Sequence, residues 1–294
     1  MDTVPRNAIN PNTSGYELVR LANGSYSLHS LDYRETFHPV IGPVAEAEVL
    51  YLNQLRLAER LRECDEQFVI WDVGLGAAAN VITVFRGTCH VASRLRVLSF
   101  DYTTEPLDFA LRHPKELEYL TDYAQRSREL IEQGKVGFAN GAQEVHWEFH
   151  QGDFPTLIHS PRAASFPKPH AIMFDAFSPA TNAAMWTETV FARMFQLLDP
   201  SRPCSLPTYS RSTMLRVSLL LAGFFVGVGH PTGEKDETTI AANDLSMISE
   251  PLDRKWLQRA HRSSSAEPLW TPVYRQAKLS PETYEKLRLH PQFR

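Results

Sequence analysis

Cysteine is scarce in this chain. Three residues, Cys64, Cys89 and Cys204, are spread over 294 positions, and none stands at the paired spacing of a metal or disulfide framework. They read as reduced thiols of a cytoplasmic protein, with no metal implied. Long apolar runs are missing too. The longest, Val217 to Val228, falls well short of the roughly 20 residues a membrane span needs. Met1 to Asn12 is polar with two prolines and lacks the apolar centre of a secretory signal. Excess positive charge is absent as well: 30 Lys and Arg against 34 Asp and Glu leave a net charge of −4. No basic field over the whole molecule announces a nucleic acid, although a local patch would suffice to hold one.

What the chain has is apolar content, 43% of its residues, enough for one large core. Its most informative piece is Phe68-Val-Ile-Trp-Asp-Val-Gly-Leu-Gly-Ala-Ala-Ala-Asn80. An apolar, β-branched run ends in an acid, two glycines follow one residue apart, and an alanine-rich segment comes next. That order reads as strand, tight turn and helix N-terminus, the frame of a nucleotide-binding crevice. Gly74 lets the backbone turn sharply, and Gly76, without a Cβ, lets a ligand lie against the main chain. A second apolar run, Leu95 to Phe100, ends in Asp101, roughly 25 residues past the glycines, near the distance at which a strand-tip carboxylate grips a ribose diol. Two more strands are predicted, Val145 to His150 ending in Gly152-Asp153, and His170 to Phe174 ending in Asp175. These acids then share one rim of a parallel sheet, where ligands bind in open α/β folds.

Around this frame, Glu17 to Leu21 and Ser25 to His29 flank Asn23-Gly24 and predict a hairpin with a two-residue turn. Val44 to Arg62 has the periodicity of one helix. Further helices are predicted at Ala77 to Phe85, Pro106 to Arg112, Lys115 to Gln133, Glu188 to Leu198 and Arg211 to Ala222. Strands are predicted at Cys204 to Tyr209, Phe224 to Gly229 and Thr238 to Ala242, the last two joined by the charged turn Gly233 to Asp236. Beyond Glu250 the chain turns basic and Ser-rich, which reads as a tail with a short helix or two. The organisation is an N-terminal extension with a hairpin over 1–42, an α/β domain over 43–248, and a tail over 249–294.

Alternating strands and helices that end in two consecutive strands fit a class I S-adenosylmethionine methyltransferase. That fold is α/β, a doubly wound Rossmann-like sheet, mostly parallel with an antiparallel final strand. A dehydrogenase would keep a third glycine and set a pyrophosphate on the helix N-terminus. Here Ala77, Ala78 and Ala79 fill that region. A cofactor without phosphate needs only close backbone approach, so S-adenosyl-L-methionine is the predicted cofactor.

The segment Asp175-Ala-Phe-Ser-Pro-Ala-Thr-Asn-Ala-Ala-Met-Trp186 resembles the D-x-F-x-P-x-x-N-P-x-M-W signature of the tRNA wobble-uridine methyltransferases, the methyltransferase half of MnmC and its stand-alone relatives. Other stretches agree in the same order. Ser30-Leu-Asp-Tyr-Arg-Glu-Thr-Phe-His38, with Gly42 and Glu46, is similar to the family's N-terminal segment, and Val73 to Asn80 resembles its G-F-G-T-G-L-N loop. Ser99-Phe-Asp101 with Pro106-Leu107 resembles its S-F-E...P-L, and Thr208-Tyr-Ser with Leu221 to Phe224 its T-F-x-S...A-G-F. The likeness spans Gly15 to Asn243. Ala78 stands where the family has glycine, Asp101 replaces a glutamate, two extra residues separate Asp101 from Pro106, and Ala183 replaces a proline after Asn182.

The resemblance implies a methyltransferase acting on tRNA, without the flavin-dependent oxidation of the fused bacterial enzymes. It places Gly74, Gly76, Asn80 and Asp101 on the cofactor, Asp153 on the adenine amino group, and Tyr33 and Glu46 at the edge of the same pocket. Asp175 falls beside the methyl group, with Phe177, Pro179 and Asn182 around the acceptor. Plainer readings stand beside these. Asp153 suits a helix N-cap, Asp175 can cap the turn after it, Trp186 suits the core, and His38 and His150 read as ordinary surface or strand histidines. For a tRNA acceptor, Arg34, Arg211, Arg216, Arg254, Lys255, Arg259 and Arg262 are available for a basic rim, or are simply a solvated face. Two other functions share the same sheet: an aminopropyltransferase of the spermidine-synthase type, and a binding protein that has kept the fold without catalysis.

Overall fold

The computed structural model describes residues 15–233 and 235–294. The N-terminal stretch Met1 to Asn12, and Glu234 of the predicted Gly233 to Asp236 turn, lie outside them. The described chain opens with an antiparallel sheet, β1 (Tyr16–Arg20), β2 (Tyr26–Ser30) and β3 (Glu35–Thr36). The predicted hairpin is present, but its turn holds three residues rather than two. Leu21 N–H donates to Ser25 O at 2.8 Å and Gly24 N–H to Leu21 O at 2.9 Å. Of Asn23 and Gly24 only the glycine has a positive φ, +87°, as the left-handed residue closing a type I turn does.

The helix predicted over Val44 to Arg62 is interrupted. It becomes α1 (Pro43–Ala47), a π-helical turn (Glu48–Asn53) and α2 (Leu57–Glu63), with Arg56 left-handed at φ 50° between the last two. The extra residue that a π turn inserts lets Leu50 and Tyr51 bury side by side, both 0% exposed. Tyr51 then donates its hydroxyl to Phe174 O at 3.4 Å. Periodicity alone reports which residues are apolar, not this change of register.

The core of the molecule is a doubly wound sheet. In chain order it comprises β4 (Phe68–Val73), α3 (Ala79–Thr88), β5 (Ser93–Asp101), α4 (Glu105–Leu111), α5 (Ala124–Gln133), β6 (Lys135–Asn140), β7 (Gln143–Gln151), α6 (Phe154–His159), β8 (Ala171–Phe174), α7 (Glu188–Leu197), β9 (Ser205–Thr208), α8 (Thr213–Leu221), β10 (Phe225–Gly229) and β11 (Thr238–Ala242). The strands lie in the order β10-β11-β9-β8-β4-β5-β7-β6. β4 pairs in parallel with β5 and β8, β5 with β7, and β8 with β9. β11 runs antiparallel to both its neighbours, as the predicted fold requires. β4 is buried along its whole length, which is why it reads as a continuous apolar run rather than an alternating one.

Two features were not predicted. β6 pairs antiparallel with β7 around a turn at Gly141-Ala142, and its Lys-Val-Gly-Phe-Ala-Asn sequence carries little strand signal. The long helix predicted over Lys115 to Gln133 splits into a 3-10 turn (Glu118–Tyr123) and α5. The tighter turn points Tyr119 at Ala77 O (3.0 Å) and Tyr123 at Asn140 Oδ1 (2.9 Å).

The segment after Glu250, predicted as a tail with a short helix or two, folds back onto the domain. It forms α9 (Arg254–Arg262) and α10 (Pro281–Arg288). Trp256, Leu257, Ala266, Leu269, Leu287 and Phe293 join the core cluster of α7 and α8. A serine- and arginine-rich composition hid an amphipathic unit whose few buried apolar residues are enough to dock it.

Candidate active site

The carboxyl ends of β4, β5, β7 and β8 gather the predicted acids on one rim. At the tip of β4 the chain turns through Gly74 (φ +100°) and Gly76 (φ +50°). A Cβ on Gly74 would lie 2.7 Å from Asp175 O, so the turn packs directly against the end of β8. Gly76 N–H donates to Asp101 Oδ2 at 2.9 Å, and Tyr102 N–H to its Oδ1 at 2.7 Å. Burial raises the Asp101 pKa, and the N–H groups of Gly76, Tyr102, Thr103 and Leu75 oppose that rise. A carboxylate holds about four lone-pair sites, and these backbone donors engage most of them, which fixes the carboxylate's orientation at the strand tip.

Residue 78 is left-handed, φ 60° and ψ 17°. This explains the family's glycine there and marks Ala78 as a strained but accommodated replacement. Its methyl is fully buried, which offsets part of that strain.

Asp175, one residue past β8, sits between groups from three parts of the chain. Asn80, in the first turn of α3, donates Nδ2–H to Asp175 Oδ2 at 2.8 Å. His38 Nε2 lies 3.6 Å from the same oxygen, and His38 Nδ1 lies 3.8 Å from Glu46 Oε2. The structure thus moves His38 from ordinary surface histidine to a nearly buried imidazole between two carboxylates. Its own left-handed backbone, φ 46°, aims it there. Burial raises the Glu46 pKa, with His38 pulling it down and Asp175 pushing it further up.

An aromatic cluster surrounds Phe177, two residues past Asp175. Tyr33 stacks on Phe177 at 4.5 Å between centroids, and Phe37 meets Phe177 edge-on at 5.2 Å. The loop that carries Phe177 is clamped from β3: Glu35 accepts from Ser178 N–H and Oγ–H, both at 2.9 Å. Trp186 is wholly buried and donates its indole N–H to Phe177 O at 2.7 Å. Pro179 and Asn182 are half-buried in the same turn. Asp153 is exposed and caps α6, its Oδ2 accepting from Thr156 N–H at 3.0 Å. Gly152 N–H donates to Asp101 O at 2.9 Å, so this tip adjoins that of β5. The sequence reading missed Glu35 and Tyr51, whose partners are distant in the chain.

Beneath the rim lies Asp72, 0% exposed. Its Oδ2 accepts from Ser99 Oγ–H at 2.7 Å, Ser99 in turn accepts from Trp147 Nε1–H at 2.9 Å, and Oδ1 has no partner. Burial raises its pKa well above the ordinary carboxylate value, and Asp175 and Asp101 push the same way. A pKa higher in the folded than in the unfolded state stabilises the fold at low pH, and that contribution is lost as pH rises through the folded value. The Tm advantage of Asp72→Asn over the wild type should therefore be at least about 2 °C larger at pH 8 than at pH 3.5, below the unfolded carboxylate value. Thermal melts at pH 3.5 and pH 8 make the comparison; an equal or smaller advantage at pH 8 would contradict it.

Among the described residues, the ligand atoms of Cys64, Glu66 and His170 lie within 4.8 Å of one another, suggesting a metal set. Their protonation argues otherwise. Val69 N–H donates to His170 Nδ1 at 2.9 Å, which leaves the imidazole proton on Nε2. That nitrogen donates to Glu66 at 3.2 Å, so it has no lone pair for an ion; burial first, then Arg202, pushes the His170 pKa down to about 4, which keeps the ring neutral in this tautomer. A cavity of about 590 Å³ beside this trio, lined by Arg60, His170 and Arg202, lies toward the amino ends of the strands, away from the rim.

The rim's donor set fits S-adenosyl-L-methionine. Residues 74–80 carry no Lys or Arg, as suits a ligand without phosphates, and Asp101 stands at the tip of the neighbouring strand β5. A mostly parallel sheet with β11 reversed, a glycine turn after β4 and a carboxylate at the tip of β5 define a Rossmann-like methyltransferase fold. A family model described as S-adenosyl-L-methionine-dependent methyltransferase matches residues 117–244, a little under half of the chain.

The chain is 26% identical over 244 residues to the tRNA 5-methylaminomethyl-2-thiouridine biosynthesis bifunctional protein MnmC of Pseudomonas putida (strain W619), covering 79% of this chain and 35% of that one. The protein of the same name from Cupriavidus metallidurans is 28% identical over 223 residues, 72% of this chain and 32% of that one. The chain thus spans about a third of the length of these relatives. Its fold matches MNMC2 from Aquifex aeolicus with a TM-score of 0.68 at 24% identity, over 95% of this chain and 84% of that one. Among the described residues, no helix is long and apolar enough to cross a membrane.

Proposed function

We propose that this protein transfers the methyl group of S-adenosyl-L-methionine to the aminomethyl nitrogen of a modified wobble uridine in tRNA. The observation that carries the reading is the Asp175 carboxylate, held at 2.8 Å by Asn80 and set against the Gly74 turn behind an aromatic wall. The names of the MnmC relatives supply the substrate class. Gly74, Gly76, Asn80 and Asp101 hold the cofactor, with Asp153, Tyr33 and Glu46 at the pocket's edges. Phe177, Pro179 and Asn182 border the acceptor.

When bound, the cofactor supplies a methyl already activated on a sulfonium, so the protein's task is alignment. An alkyl amine has a pKa of about 10 in water and is mostly cationic near neutrality. Burial against Phe177 and Pro179 favours the neutral, nucleophilic form, whereas a carboxylate favours the cation. Asp175 therefore orients the nitrogen by accepting one N–H rather than acting as a strong base. The methylated nitrogen would leave as an ammonium paired with the Asp175 carboxylate, which His38 flanks at 3.6 Å, and would lose its proton to water.

Mass spectrometry of tRNA nucleosides tests the substrate. Cells lacking this protein should accumulate the unmethylated aminomethyl nucleoside, and the purified protein should methylate it in that tRNA. Unchanged nucleosides, with no transfer in vitro, would refute the reading.

A further inference from the structure

The segment 269–278 plays no part in the methyl-transfer site, yet it borders it. Thr187 pairs with Leu269, and Glu188 N–H donates to Leu269 O at 3.0 Å. The segment therefore starts beside the residue that follows Trp186, whose indole holds the Phe177 carbonyl. Both its ends are anchored in the core, Leu269 and Leu279 being 1% and 9% exposed, while residues 270–276 are all exposed. Ala277 O closes the loop by accepting from the Ala266 and Glu267 N–H groups.

The exposed side chains are Trp270, Val273 and Tyr274, at 37, 62 and 41%, with Arg275 and Lys278 among them. Trp270 is also held in one pose. Its indole N–H donates to Glu267 Oε1 at 2.9 Å, and Glu267 is itself pinned by Ser280 N–H and Thr283 Oγ1–H, each at 2.9 Å. The same network caps α10 through Ser280 and, in doing so, fixes the exposed tryptophan, with Lys286 Nζ 5.9 Å from its ring centroid. It also suits an aromatic face that must meet a flat partner, because a fixed ring loses little entropy when stacked upon.

Charge selects the partner. Residues 249–294 hold nine Lys and Arg against five Asp and Glu, a local +4 on a chain whose net charge is −4. A protein-binding patch is depleted of lysine at its core, whereas Arg and Lys interleaved with exposed aromatics match unpaired bases on a phosphate backbone.

We propose that segment 269–278 is a stacking platform for the unpaired bases of an RNA loop, seated beside the acceptor pocket; this deepens the tRNA reading and rests on it. The test is binding of a fluorescein-labelled anticodon stem-loop RNA to the full-length protein by anisotropy. The protein should bind it with an affinity that falls steeply with salt. The double variant Trp270→Ala, Tyr274→Ala should bind at least about tenfold more weakly, since each stacked base contributes on that order. Its KM for tRNA should rise to match, with kcat and S-adenosyl-L-homocysteine affinity within about twofold of wild type, a split that loss of fold would not give. Arg275→Gln with Lys278→Gln, both at exposed positions, should keep the fold and flatten the salt dependence. Unchanged RNA affinity in both double variants overturns the platform and leaves the methyltransferase reading standing. RNA binding lost in the variants, by a protein that methylates no tRNA, supports the platform and overturns the acceptor. A wild type that binds no RNA overturns both.

Discussion

Asp175→Ala is expected to lower methyl transfer by at least about a hundredfold, the cost of losing alignment at a reacting nitrogen. Binding of S-adenosyl-L-homocysteine should change by less than about threefold, because Gly76 and Asp101 lie on the neighbouring strand tips and are hydrogen-bonded to each other rather than to Asp175. The loss should appear in kcat more than in KM, as for an interaction that matters chiefly at the transition state. Asn80 would lose the acceptor of its Nδ2–H, and its Oδ1 already lacks a partner, so a modest drop in Tm should accompany the kinetic effect. Calorimetry and single-turnover kinetics on the same preparation separate the two. If the variant fails to bind the cofactor product, Asp175 belongs to the cofactor site and the role assigned to it is wrong.

Gly74→Ala should be the more damaging change to the fold. At φ +100° an L side chain is strained, and its Cβ would stand 2.7 Å from Asp175 O and 3.1 Å from Asp175 C. Those are backbone atoms between two parallel strands, so relief requires the tips of β4 and β8 to part. Strain and overpacking together should cost about 2–4 kcal/mol, lowering Tm by several degrees. Methyl transfer should fall with it, because the same displacement carries Asp175 away from the glycine turn. Gly76→Ala is the contrast. There the Cβ would meet the Phe37 ring edge at 3.1 Å, a side chain that can shift, so the fold should suffer less while the close backbone approach available to a cofactor is lost. Equal Tm values for wild type and Gly74→Ala would mean that the strand tips are not locked as described.

The rim was legible in the sequence because its parts are local. A strand that ends in an acid or a glycine pair announces its own carboxyl edge, and parallel pairing then puts Asp101, Asp153 and Asp175 on one side. The surroundings of Asp175 were not legible. Glu35 clamps Ser178 across 143 residues, and nothing in either segment names the other. His38 looked ordinary because its role arises from a left-handed backbone at a single residue. The π turn at Glu48–Asn53 kept the apolar period while changing the register. The same limit hid the packing of residues 249–294: few apolar residues were enough to dock them, and composition counts residues without recording where they point.

A crystal structure of the full-length protein with S-adenosyl-L-homocysteine tests the central claim most directly. The ribose hydroxyls should rest on the Asp101 carboxylate, the Gly74 to Gly76 backbone should lie against the ligand, and the sulfur should face Asp175 and Phe177. A ligand seated elsewhere, for instance in the cavity lined by Arg60, His170 and Arg202, or no ligand at a saturating concentration, would contradict it.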